Sequence, residues 1–232
     1  MTFQEILSSL NIGSYIVFGI FVICAIIQLV FAFLEKEKQR RIEKPLCLLS
    51  LAVFSLVCLP AKPLIYVGAL LGMIGDILVI IKDKKYFSFG VFSFFLGHLC
   101  YIGLIIILMI NNNVEWFYYL IPVICFVLFY FALLFPFKKF EKRVHMRMGM
   151  ALYYATLFTL LPFMIVSYVF VGSYLFLGII GAVFFVISDL IILYTKYIQK
   201  FKRYDFYIML TYLLAQSLII LSFVFTIIDK SL

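Results

Sequence analysis

Residues 63–82 read PLIYVGALLGMIGDILVIIK, an apolar run whose one interior charge is Asp76. At 1.5 Å per residue such a run makes a helix of about 30 Å, the thickness of a bilayer's hydrocarbon core. Working outward, apolar runs of about 20 residues recur from Ser14 to Ile228. The chain of 232 residues is 66% hydrophobic and 13% charged, against about 25% charged in a soluble domain, and its mean hydropathy is +1.19. A soluble globule, a disordered chain, collagen and a coiled coil are excluded by that arithmetic. The expected fold is all-α: a polytopic membrane bundle of eight transmembrane helices forming one domain over residues 1–232.

The expected spans are 14–34, 44–62, 63–81, 89–110, 117–136, 148–170, 173–195 and 206–228. If all eight cross, residues 35–44, 82–88, 137–147 and 196–205 share one face and hold 17 of the 19 Lys and Arg residues, leaving Lys62 and Lys230 on the other. The positive-inside rule makes the basic loops cytoplasmic and puts both termini outside, in the cell membrane if the source is bacterial. The net charge of +8 then reflects orientation rather than a nucleic-acid partner. The second span is short, since its uninterrupted apolar run Leu46–Leu59 spans only about 21 Å. A re-entrant segment is the alternative, but dropping the span degrades the charge split to 12 against 7. It is therefore kept as a crossing, with Lys44 and Lys62 snorkelling to the interfaces. Met1–Gly13 has no basic stretch and carries Glu5, and no cleavage pattern follows, so the first run is expected to be retained.

Asp76 and Asp189 are the only carboxylates deep inside a span. Each costs at least about 2.5 kcal/mol on insertion scales, so each needs a compensating partner. Counted back from Lys82 and Lys196, both lie about 9–10 Å inside the cytoplasmic boundary, a common depth that permits a common cavity. Gly68, Gly72 and Asp76 follow one helix face at i, i+4 and i+8, and Gly178 and Ala182 make a similar small-residue ridge before Asp189. The plainer reading is that each acid only bonds a neighbouring helix. An offset of 113 places Gly68 on Gly181 and Asp76 on Asp189, and an offset of 118 places Gly97-His98 on Ala215-Gln216. Either an internal four-helix repeat or chance accounts for these matches.

Four further residues supply polar groups at related positions: His98 and Tyr101 in the fourth span, Tyr212 and Gln216 in the eighth. Tyr153, Thr156 and Thr159 form a stripe in the sixth, for which local backbone bonding is the plainer explanation. Lys44, Lys82, Lys84 and Arg147 either hold an anionic head group or simply orient the chain. The five cysteines all lie in apolar runs and read as core residues. The only other histidine, His145, is in a basic loop, so no three-ligand zinc set forms, and no nucleophile elbow, P-loop or dinucleotide fingerprint occurs. No metal or cofactor is expected. An enzyme built on this chain must work with two carboxylates.

Lys44-Pro45-Leu46, Gly75-Asp76, Gly97-His98-Leu99-Cys100-Tyr101, Ser188-Asp189 and Tyr212-x-x-Ala215-Gln216 occur in that order. Together they resemble the lysoplasmalogenase family, also called YhhN, of eight-span membrane proteins, over nearly the whole chain. The sequence departs where many relatives have Ser, at Gly72. The resemblance implies a hydrolase that cleaves the vinyl-ether bond of lysoplasmalogen, with Asp76 and Asp189 as catalytic pair and a lysophospholipid as partner. Substrate contacts are then expected from His98, Tyr101, Lys44, Tyr153, Tyr212 and Gln216. The chemistry is compatible: protonating the β-carbon of a vinyl ether gives an oxocarbenium ion, water adds, and the hemiacetal collapses, a sequence that needs one acid and one base. Two carboxyl groups sharing a proton supply both, and sequence leaves open which is which. A proton-coupled transporter of small molecules or lipids is the rival reading, since it too uses membrane carboxylates and repeats. A lipid-binding scaffold is a third, in which neither aspartate matters.

Overall fold

A computed structural model of the chain describes residues 2–81 and 84–231. Among the described residues all regular structure is helical: α1 (Phe3–Ser9), α2 (Ile12–Phe33), α3 (Glu37–Cys58), α4 (Pro63–Ile80), α5 (Lys84–Asn111), α6 (Leu120–Phe140), α7 (Val144–Phe170), α8 (Leu175–Tyr197) and α9 (Tyr204–Ser231), with a short 3₁₀ turn at Trp116–Tyr119 before α6. Asn11 caps α2 by accepting from the Ser14 N–H at 2.7 Å. Pro63 opens α4, where its missing N–H costs nothing.

Seven of these helices, α2 and α4 to α9, are long and apolar enough to cross a membrane. The exceptions are the seven-residue α1 and α3, the expected second span. Helix α3 starts at Glu37 rather than residue 44, and six of its first eight residues are charged. Glu37 and Arg41 pair one turn apart there, which supports a solvated helical start. The helix ends at Cys58 rather than residue 62, because Leu59 precedes Pro60 and is driven out of helical geometry, with φ −140° and ψ 66°.

Most of α7 and α9 is buried, whereas α2 and α6 present large apolar side chains outward, including Ile16, Ile23, Leu128 and Phe135. Such continuous apolar exterior suits lipid rather than water. Within each half of the chain, α2 to α5 and α6 to α9, consecutive helices pack in order, and the halves join through α5 on α7 and through α2 and α3 on α9. The α5–α7 and α3–α9 junctions exchange when the halves are swapped, whereas α2 on α9 has no comparable counterpart between α6 and α5 among the described residues. Two of the close backbone crossings fall at the residues paired by the offsets of 113 and 118. A Cβ on Gly97 would lie 3.0 Å from the Gly68 carbonyl oxygen, and one on Gly181 would lie 2.9 Å from that of Ala215. Only glycine admits backbones this close.

The four basic segments meet at one end of the bundle. Arg40 pairs with Asp205 at 2.6 Å, the Lys196 ammonium lies 3.6 Å over the Phe87 ring, and the Tyr197 hydroxyl reaches the Met150 sulfur at 3.8 Å. In the turn between α6 and α7, Arg143 donates two 3.0 Å side-chain bonds to Glu141 and holds its carboxyl down to about 2.

Candidate functional site

Asp76 is completely buried on α4. Its compensating partner comes from α3: the Lys44 ammonium sits 2.7 Å from Oδ1, and the Tyr212 hydroxyl on α9 donates to Oδ2 at 3.1 Å. The same ammonium stands 5.1 Å above the Tyr212 ring, so cation, carboxylate and phenol form one cluster. Here the expectation that Lys44 snorkels to an interface is corrected. A carboxylate without solvent requires a counter-ion, and Lys44 turns inward to provide it.

Asp189, nearly as buried on α8, is held differently. The Tyr153 hydroxyl on α7 donates to Oδ2 at 2.6 Å, and the Tyr154 hydroxyl donates to the Asp189 main-chain carbonyl at 3.4 Å. No cation among the described residues lies within ion-pairing distance of it. The two acids therefore occupy unlike environments, Asp76 with a cation and a hydroxyl and Asp189 with a hydroxyl but no cation, within electrostatic reach of each other.

Aromatic rings connect them. His98 packs edge-on against Tyr153, with centroids 6.0 Å apart, and against Phe185 at 4.6 Å. Phe185 in turn meets the Tyr212 ring edge-on at 5.6 Å. The chain of contacts thus runs Asp189, Tyr153, His98, Phe185, Tyr212, Asp76, Lys44, with residues from α3, α4, α5, α7, α8 and α9. Beside it the Tyr101 hydroxyl on α5 donates to Gln216 Oε1 on α9 at 2.9 Å. A Cβ on Gly72 would make only ordinary contacts, 3.6 Å from Gln216 Nε2 and 3.7 Å from the Tyr212 hydroxyl, so the position has room for a Cβ beside the centre.

Not every residue singled out in the sequence joins this centre. Thr156 and Thr159 donate to Leu152 and Ala155 of their own helix, the local bonding that a buried hydroxyl in a helix makes. Arg147 is half-buried near the start of α7, its Nε without a partner. Lys82 and the side chain of Lys84 lie outside the described residues. Sequence reasoning missed Phe185 and Tyr154, which carry no signal beyond aromatic type. It also missed the inward turn of Lys44, although Lys44, Leu48 and Leu51 share one face at i, i+4 and i+7 and both leucines are buried. Among the described residues no group of three or more His, Cys, Asp or Glu side chains is arranged to hold a metal ion.

An all-helical, multi-pass membrane protein with two aspartates in its interior is the class that this fold and centre define. Residues 39–223 match the family model of YhhN, and the chain belongs to the YhhN family. That stretch contains every residue of the centre. No curated protein and no solved structure matches the chain.

Proposed function

We propose that this protein is a lipid hydrolase of the membrane that cleaves the vinyl-ether bond of lysoplasmalogen to a fatty aldehyde and a glycerophospho-ethanolamine or -choline. The supporting observation is the unlike treatment of two buried acids joined by one chain of contacts: Lys44 lies 2.7 Å from Asp76, whereas Asp189 meets a hydroxyl at 2.6 Å. Asp76, in contact with an ammonium, is the charged member of the pair. Asp189 carries the proton.

Asp189 delivers that proton to the β-carbon of the vinyl ether, whose π electrons form the new C–H bond and leave an oxocarbenium ion. The Asp76 carboxylate faces the developing cation and takes a proton from water as its oxygen adds to the α-carbon. Asp76 then returns its proton to the departing glycerol oxygen as the C–O bond breaks, while the hemiacetal O–H proton passes to Asp189. Aldehyde and alcohol leave, and both acids regain their starting states. The pattern is the carboxyl-pair logic of glycoside hydrolysis applied to an enol ether.

The lipid lies with its head group at the basic end. Arg147, six residues before Tyr153 on α7, stands about 9 Å from it along the axis and offers its unpartnered Nε to the phosphate. In this arrangement α3 is the eighth crossing, the basic loops are cytoplasmic and both termini are outside.

The test is aldehyde release by purified, detergent-solubilised protein offered a panel of lysoplasmalogens and acyl lysolipids. Asp76→Asn and Asp189→Asn should each lower the rate by about 10³-fold or more while remaining folded. Full activity in either variant removes the two-acid mechanism, and uptake into vesicles without aldehyde release would favour the transporter.

A further inference from the structure

His98 is 2% exposed, and its two ring nitrogens are treated unequally. Nδ1 lies 2.7 Å from the Phe94 carbonyl oxygen. A carbonyl only accepts, so Nδ1 carries the hydrogen and Nε2 of the neutral ring presents a lone pair. That lone pair has no partner although it is buried. A buried acceptor left unpaired is costly, and its persistence calls for a donor that arrives from outside the chain.

The position of the ring narrows what that donor is. His98 packs on Tyr153, the residue that bonds Asp189, and on Phe185, which bridges to Tyr212 and Asp76. A group that reaches Nε2 therefore lies among the rings that link the two acids, next to Tyr153 of the Asp189 cluster and one ring removed from Tyr212 of the Asp76 cluster. In a lysoplasmalogen the glycerol carbon next to the ether-bearing one has a free hydroxyl. It is a hydrogen-bond donor within a few bonds of the reacting carbon, whereas a diradyl lipid is acylated there and has none to give. We infer that His98 accepts a hydrogen bond from this hydroxyl through Nε2 and so makes the site selective for the lyso form, an inference that rests on the hydrolase reading for the identity of the lipid. A site that bonds a substrate hydroxyl rejects the analogue without it far more strongly than an apolar pocket distinguishes one methylene. The neighbouring phenols each already make a hydrogen bond as donors, Tyr153 to Asp189, Tyr212 to Asp76, and Tyr101 to Gln216. Among the described residues of the centre, His98 Nε2 is the buried acceptor with neither a hydrogen bond nor an ion pair.

The experiment compares binding of two unreactive probes to the purified protein by calorimetry: a saturated 1-O-alkyl lysophosphoethanolamine and its 2-deoxy counterpart, in which hydrogen replaces the hydroxyl. Wild type should prefer the hydroxylated probe by about 10- to 100-fold. His98→Phe should bind the two within about twofold. His98→Gln, which restores an acceptor, should recover part of the preference. Equal binding by wild type overturns the inference and leaves water as the partner of Nε2. An undiminished preference in His98→Phe also overturns it, by assigning the hydroxyl to another residue. If His98→Phe does not fold, the wild-type ratio and the Gln variant decide. Aldehyde release from the alkenyl lysolipid, run in parallel, tests the hydrolase reading separately: preference without release refutes that reading alone, and release without preference refutes the role of His98 alone.

Discussion

A lysine ammonium 2.7 Å from a carboxylate with no solvent exposure is a different object from a lysine at a membrane surface. Removing one partner of a buried pair strands the other charge, a loss of about 3 kcal/mol or more, whereas removing both returns much of it. Lys44→Met should therefore lower the thermal midpoint in detergent and abolish aldehyde release. Adding Asp76→Asn should restore the stability but not the activity. A double-mutant cycle measures this, and additive effects would deny that the pair is coupled. The acids were legible in the sequence because an ionisable residue inside an apolar run stands out against every neighbour. Their unequal partners were not, because Lys44 and Tyr153 meet them across 32 and 36 residues of chain.

Helix pairs are set by where backbones can touch. Gly181 meets the Ala215 carbonyl and the Ile219 side chain, and an added Cβ would approach each to 2.9 Å. Gly181→Val should force α8 from α9 at a cost of about 1–3 kcal/mol and draw Asp189, eight residues on, out of register with Tyr153. Gly19 on α2, where a Cβ meets nothing within 4 Å, is the control, and Gly19→Ala should not lower the stability but raise it by up to about 1 kcal/mol, the helix propensity of alanine over glycine. Equal effects would refute close packing as the role of Gly181. The small-residue ridges announced these faces in the sequence, and the matched positions 68 with 97 and 181 with 215 perform the same packing in both halves. What the sequence reading misplaced was α3. The charges of its first two turns suggested a loop, yet a solvated helix tolerates charge on all sides when i, i+4 pairs support it.

For the molecule as a whole, charge asymmetry is the basis of the proposed orientation. The contacts of Arg40 with Asp205, Lys196 with Phe87 and Tyr197 with Met150 gather the basic segments at one end, as the positive-inside rule requires of loops on one side. A cysteine at Asn112 should react with an impermeant reagent applied to intact cells, and one at Lys139 should not; labelling at Lys139 alone reverses the topology. Composition by itself determined that this chain is a helical membrane protein, since lipid leaves a backbone no other way to satisfy its hydrogen bonds except a closed barrel, and runs of about 20 apolar residues are too long for barrel strands. It also singled out Asp76 and Asp189, because burying a carboxyl group is costly wherever it occurs. Only the tertiary structure decided that both meet a hydroxyl but just one meets a cation, and that His98 stands between their clusters with a lone pair unused. Those facts depend on the rotation and depth at which separate helices pack, and periodicity along a single helix contains neither quantity.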